Sequence, residues 1–289
     1  MTNAPTLPDG VGWTAVLVAA QRAAESLSGA PAFRDPLAEA IVVHLGLAGP
    51  GEQPRFDAMP GDMAGLTTMM GDLVVLRTLH NDRVITESGV EQVVLLGAGL
   101  DGRAYRLPGA GRIFELDLAP GLALKEEAAR AAGLQTLMRR TAVPADLAGE
   151  WASALLAAGF DPSRPTAWIG EGLTIYLDRS ELDGLLTRVR DLSAPGSRLC
   201  LEIASRFDAG LADEEVADNG TRRLETLLRE GPPIPPHDWL IDHGWSARHH
   251  TLVELGERHG REVTRWFDAD RGGATLWMFT SSPLPRPGS

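Results

Sequence analysis

Apolar residues change their spacing once along the chain, near residue 90. Before that point they recur at three- and four-residue steps, the signature of one helix face. Val11 to Leu27 is rich in Ala, Leu and Val, and turns polar at Gln21, Arg22, Glu25 and Ser26. Asp35-Pro36 opens a second helix, with proline at a tolerated first-turn position. A third helix is predicted from about Asp62 to Glu87, carried by Leu66, Met69, Met70, Leu73, Leu76 and Leu79. From Gln92 onward short apolar runs take over, and these predict strands. VVLLGAG (Val93 to Gly99) and RIFELD (Arg112 to Asp117) come first, then a weaker run from Thr136 to Val143. TAWIGEG (Thr166 to Gly172), RLCLEIA (Arg198 to Ala204), Arg248 to Val253 and Thr275 to Thr280 complete a set of seven. Helical stretches at Leu122 to Ala132, Leu147 to Ala158 and Ser180 to Leu192 separate several of them. This alternation predicts an α/β fold, a mostly parallel seven-stranded sheet with helices on both faces. Ligands of such sheets bind beyond the carboxyl ends of the strands, near the switch in strand order.

Composition narrows the picture. The 289 residues are 44% hydrophobic, enough for a sizeable core. The net charge of −12, from 27 basic and 39 acidic residues, argues against nucleic-acid or anionic-membrane partners, which are gripped through cationic side chains. A lone Cys200 excludes an intramolecular disulfide framework and a Cys-rich zinc site, so no metal is expected. No run approaches the roughly 20 apolar residues that span a bilayer, and Val11 to Ala20 lacks the positive flank of a signal peptide, so a cytoplasmic protein is expected.

The candidate chemistry sits after the strands. GAGLDG (Gly97 to Gly102) has the G-x-G-x-x-G spacing that lets a ligand approach the backbone closely. Asp117 ends the second strand 20 residues after Gly97, a position suited to ribose hydroxyls. The same pair of features serves NAD and S-adenosylmethionine (SAM), and Asp117, or Asp146 after the third strand, could instead be a helix cap. Three observations favour SAM. The helix after Gly102 runs quickly into Pro108 and Gly109, unlike the well-formed helix N-terminus of a pyrophosphate site. Asp146-Leu147 follows the third strand, where a carboxylate and an apolar side chain suit an adenine. Glu171 ends the fourth strand, beside the expected reacting centre. A dehydrogenase Tyr-x-x-x-Lys pair is missing, because Lys125, the sole lysine, follows neither Tyr105 nor Tyr176 by four.

With these residues in view, the chain resembles the bacterial branch of the leucine carboxyl methyltransferase family, class I SAM-dependent O-methyltransferases. The resemblance rests on VGWTAVLVAAQRA (Val11 to Ala23), FRDPLAE (Phe33 to Glu39), RTLHNDRV (Arg77 to Val84), QVVLLGAGLDGRAYRL (Gln92 to Leu107), FELDLAP (Phe114 to Pro120), PADL (Pro144 to Leu147), WIGEGLTIYL (Trp168 to Leu177) and WLIDHGW (Trp239 to Trp245). It implies a Rossmann-like methyltransferase domain over residues 1–289, with an N-terminal helical cap (1–90) and a SAM-binding core (91–282) carrying a lid insertion near 207–242. By the same resemblance Arg77 grips the SAM carboxylate, with the bidentate fork that suits it. Gly97 and Gly99 line the methionine part, Asp117 and Leu118 the ribose, Asp146 and Leu147 the adenine. Glu171 lies near the SAM amino group and Tyr176 follows it. Glu115 is read as structural support.

The implied reaction is methyl transfer to a carboxylate or hydroxyl of a small molecule such as a polyketide or other natural product. A carboxylate nucleophile needs no base, whereas a phenol, with a pKa of about 10, gains from one. No catalytic residue announces itself; His80, His237, His243, His249 and His250 are the candidate bases. His249 and His250, adjacent on a predicted strand, face opposite sides and so do not share a metal. A monomer or weak homo-oligomer is expected. An NAD(P)-dependent oxidoreductase and a non-catalytic SAM-binding protein are the competing readings.

Overall fold

A computed structural model of the chain describes residues 12–59, 64–109, 111–205 and 224–285. Three helices come first: α1 (Gly12–Ser26), α2 (Pro36–His44) and α3 (Ala64–Ser88). The core then runs β1 (Gln92–Leu96), α4 (Arg103–Arg106), β2 (Arg112–Asp117), α5 (Ala119–Ala131), β3 (Arg139–Pro144), α6 (Ala152–Ala157), β4 (Thr166–Gly170), α7 (Arg179–Asp191) and β5 (Arg198–Ala204). After it come α8 (His237–Asp242), β6 (His249–Thr251), α9 (Leu252–His259) and β7 (Leu276–Ser281). All seven predicted strands are present, each within a few residues of its expected bounds.

The strands form one sheet in the order β3-β2-β1-β4-β5-β7-β6. β1 to β5 are parallel, and β7 runs antiparallel to both β5 and β6. The order reverses between β1 and β4, so the crevice where ligands are expected opens there. Side chains alternate between two apolar layers, as the pleat requires. Val93, Leu95, Ile113 and Ile169 join the layer formed with α1, α2, α3 and α5, while Val94, Leu96, Phe114 and Trp168 join the layer formed with α6, α7 and α8. No helix among the described residues is long and apolar enough to cross a membrane.

One detail differs from the sequence expectation, and one alternative reading falls away. The helix after β3 was expected from Leu147 and begins at Ala152. The Asp146 carboxylate accepts the Ala148 amide at 3.0 Å, and a turn closing at Gly149 delays the helix. Asp117 does not cap α5, whose N-cap position is Leu118. The first part of the expected lid, residues 207–223 with the acidic run Asp213 to Asp218, lies outside the described residues.

Lys125 is fully buried on α5 and pairs with the fully buried Glu115 of β2 at 2.9 Å. Arg140 of β3 reaches the same carboxylate at 2.8 Å. The single lysine is therefore committed to holding α5 against the sheet. Cys200 is buried inside β5, and burial pushes its thiol up to about 12, which keeps it a packing group.

Candidate active site

The crevice at the switch point widens into a cavity of about 880 Å³. Its floor is the carboxyl ends of β1, β2, β3 and β4, and its roof is α1 and α3. All nine residues expected at the cofactor line it: Arg77, Gly97, Gly99, Asp117 and Leu118, together with Asp146, Leu147, Glu171 and Tyr176. They are spread along the chain from Arg77 to Tyr176, and the strand order brings them together.

The glycine turn is shaped for close approach. Gly97 and Gly99 have φ of 66° and 46°, the left-handed region that favours glycine. A Cβ on Gly97 would stand 3.4 Å from Leu173 and 3.9 Å from Leu147, inside the space the turn leaves open. Gly99 sits under α1, 3.4 Å from the Ala15 Cβ on the same measure. Asp117 accepts the Gly99 amide at 2.5 Å and the Leu118 amide at 2.6 Å, so the acid that ends β2 also braces the turn after β1. Asp146 is exposed and Leu147 buried, an acceptor beside an apolar surface. Tyr176 donates to the Thr14 hydroxyl at 3.2 Å and so ties α1 to the turn after β4; burial raises its phenol.

A run of buried charges underlies this cavity. Arg77 of α3 donates to Glu202 of β5 at 3.0 and 3.3 Å, and its Nε lies 3.5 Å from Glu171. Glu171 also receives Arg103 at 2.5 Å and Asn81 at 2.8 Å. Arg103 continues to Asp101 and to Asp82, the latter at 2.8 Å, and Asp82 binds Arg106. Arg106 stands 3.6 Å from Asp35, which holds Arg22 at 2.9 Å. Arg22 finally donates to the Leu100 carbonyl, in the glycine turn, at 2.6 Å. Burial opposes ionisation of Glu171, but Arg103 and Arg77 outweigh it and hold its carboxyl below the usual range. Arg103 does the same for Asp101, against its own burial cost. Gly102 makes the crossing possible, since a Cβ there would fall 2.1 Å from the Asp35 carboxylate.

Arg22, Asp101, Arg103 and Glu202 line the cavity and were not singled out from the sequence. Arg103 stands in the GAGLDGRAYRL run, one residue past the glycine motif. Glu202 is an acid near the carboxyl end of a strand with buried neighbours on both sides, and that alone could have marked it.

The histidines lie elsewhere. All seven are among the described residues and none lines the cavity. His80 bonds Thr280 at 2.9 Å, and burial lowers its pKa to about 4. His237 and His249 pair at 3.2 Å, while His250 packs edge-on against His80, so the neighbours His249 and His250 do face opposite ways. No cluster of three metal-ligating side chains occurs among the described residues.

The donors and acceptors suit a SAM molecule. A guanidinium, two acids at the ends of β2 and β3, an apolar flank at Leu147 and a glycine turn surround a space of adequate size. The Arg77 Nε is buried without a hydrogen-bond partner, a donor held ready beside Glu171.

Comparison with known proteins points the same way. Residues 15–190 match the leucine carboxyl methyltransferase family. A Frankia alni protein, provisionally named an S-adenosyl-L-methionine-dependent methyltransferase, is 38% identical over 93% of this chain and 94% of its own length. A Streptomyces coelicolor protein with the same provisional name is 39% identical over 89% of this chain and 90% of its own. Among solved structures, a DUF574 family protein from Streptomyces avermitilis shares the fold, with a TM-score of 0.55, 15% identity, and coverage of 92% of this chain and 97% of that one.

Proposed function

The chain belongs to the leucine carboxyl methyltransferase family, and from that premise we propose that it transfers the methyl group of SAM to a carboxylate or hydroxyl of a small molecule, such as a polyketide acid or another natural product. The observation that carries this reading is the convergence of the nine family-matched residues on one cavity. Bound SAM supplies a methyl group already activated on a sulfonium. The protein's part is then to align, to exclude water and to place charge.

In this reading Arg77 binds the cofactor carboxylate and Glu171 faces its amino group. Asp117 takes the ribose hydroxyls, and Asp146 and Leu147 the adenine. The acceptor side is apolar. Leu17 and Val18 of α1, Leu66 and Met70 of α3, and Leu224 wall it, which suits an acceptor with a hydrocarbon or fused-ring body. A cavity of about 880 Å³ is of a size to take a cofactor together with a small acceptor. With no histidine in the wall, an acceptor that is already ionised at neutral pH is the better match. The residues form one methyltransferase domain, with α1 to α3 as its cap.

Asp117→Ala is expected to weaken S-adenosylhomocysteine binding at least tenfold by titration calorimetry, because the ribose acceptor and the brace on Gly99 are both lost. An unchanged dissociation constant would remove Asp117 from the site. Labelled SAM, offered with a panel of lipophilic carboxylic acids and phenols, is expected to label the acids. Binding of NAD with no binding of SAM would refute the reading.

A further inference from the structure

Among the described residues, the buried charges beside the cavity do not balance. Four guanidiniums, of Arg22, Arg77, Arg103 and Arg106, meet five carboxylates, of Asp35, Asp82, Asp101, Glu171 and Glu202. Glu202 stands at the end of the run. Its one cation among the described residues is Arg77, which it shares with Glu171. Few other groups face it. Arg77 comes from α3, Glu171 from the end of β4 and Tyr176 from the turn behind it, and the β7 residue in register is the uncharged Met278. Burial pushes the Glu202 carboxyl above the usual range; Arg77 pulls it back and Glu171 adds to the rise. The strand order also places Glu202. Gly97, Asp117 and Asp146 stand at the ends of β1, β2 and β3, whereas Glu202 lies on β5, beyond β4, on the other side of the switch in strand order from those cofactor positions.

The step that follows rests on the reading above, in which Arg77 holds the cofactor carboxylate. That guanidinium already serves two acids, and a third must share or replace one of them. Glu171 is anchored by Arg103 and Asn81 as well, so Glu202 is the one to yield. We propose that Glu202 is a proton-handling residue of the cavity: when Arg77 takes the cofactor carboxylate, Glu202 gives up its ion pair and takes one proton from solvent. The new bond is O–H on a Glu202 carboxyl oxygen, the proton comes from water or buffer, and no bond of the cofactor changes. The loaded cavity then offers a neutral acid to the acceptor. A carboxylate acceptor meets a hydrogen-bond donor there in place of a repelling anion. The three arginines of the wall among the described residues are each bound to carboxylates, so this donor is what makes an anionic acceptor admissible. A neutral Glu202 cannot deprotonate a hydroxyl, so within the proposed function the carboxylate is selected.

The test needs no acceptor. S-adenosylhomocysteine is titrated calorimetrically into the full chain in buffers of different ionisation enthalpy, from about pH 5.5 to about pH 8.5. Uptake approaching one proton per site is expected. Because binding takes up a proton, the dissociation constant rises with pH, by up to about tenfold per unit between the pKa values of Glu202 in the free and loaded protein. Glu202→Gln is expected to lose the uptake and the slope while still binding, and Glu202→Asp to keep the uptake at a shifted pH. Binding without uptake in the wild type, or equal uptake in Glu202→Gln, overturns the proposal and leaves the cofactor reading standing. If Glu202→Gln does not fold, the wild-type slope decides: a flat dissociation constant overturns the proposal. Absence of any binding overturns both.

Discussion

Asp35→Ala is expected to cost about 3–5 kcal/mol of stability, the usual penalty for leaving a buried charge without its partner. Asp35 is fully buried and does three things at once. It holds Arg22 at 2.9 Å and stands 3.6 Å from Arg106, both of them buried cations. It caps α2 by accepting the Ala38 amide at 3.0 Å, a contact worth about 1 kcal/mol by itself. Alanine removes the acceptor and leaves Arg22 aimed at the glycine turn with only the Leu100 carbonyl to answer it. Asp35→Asn keeps a hydrogen-bond acceptor but not the charge, and is expected to fall between the two. Urea unfolding with an unchanged m-value is the measurement. A loss below about 1 kcal/mol in Asp35→Ala would show that solvent answers these arginines and that the run of charges is not closed. Because Arg22 ties α1 to the turn, the same variant is expected to bind S-adenosylhomocysteine more weakly.

Glu115→Ala is the second large effect, again about 3–5 kcal/mol, or a midpoint lower by roughly 5–8 °C. Lys125 and Glu115 are each fully buried, so removing the acid strands an ammonium between α5 and the sheet. Arg140 has a second partner in Glu126 at 2.7 Å and suffers less. The double variant Glu115→Met with Lys125→Met separates charge from packing. It is expected to recover most of the loss, since a well-packed apolar pair replaces a buried ion pair at little cost. A double variant no better than Glu115→Ala would put the damage in the shape of the layer and not in the stranded charge.

Much of this architecture was legible in the sequence because burial on both faces writes a strand as an unbroken apolar run. VVLLGAG and RIFELD could be placed by eye, and the acid closing the second run fell where a ribose contact belongs. Eight of the nine expected residues lie at the end of a strand or within six positions after it, whereas Arg77, on α3, was marked by the family resemblance. The partners of those residues were not legible. Glu202 reaches Arg77 across 125 positions, Arg103 reaches Glu171 across 68, and Arg22 reaches Leu100 across 78. Such contacts depend on strand order and on where three helices land, and a residue's neighbours in sequence carry no trace of either. The delayed start of α6 was hidden for a smaller reason. Asp146 looks like a helix cap in sequence, and its carboxylate makes a turn with Ala148 instead.

The side chains in the charge run beneath the cavity are largely shielded from water, while the excess of acids that gives the chain its −12 includes many residues on the outside. Dissolved ions distinguish these two sets. At physiological ionic strength a counterion atmosphere about 8 Å thick quiets the outer acids and relieves their mutual repulsion. It has little access to Glu202, Arg77, Glu171 and Arg103. The protein thus carries two electrostatic systems that respond to different solvents: one tuned by the salt of its surroundings, the other only by what enters the cavity.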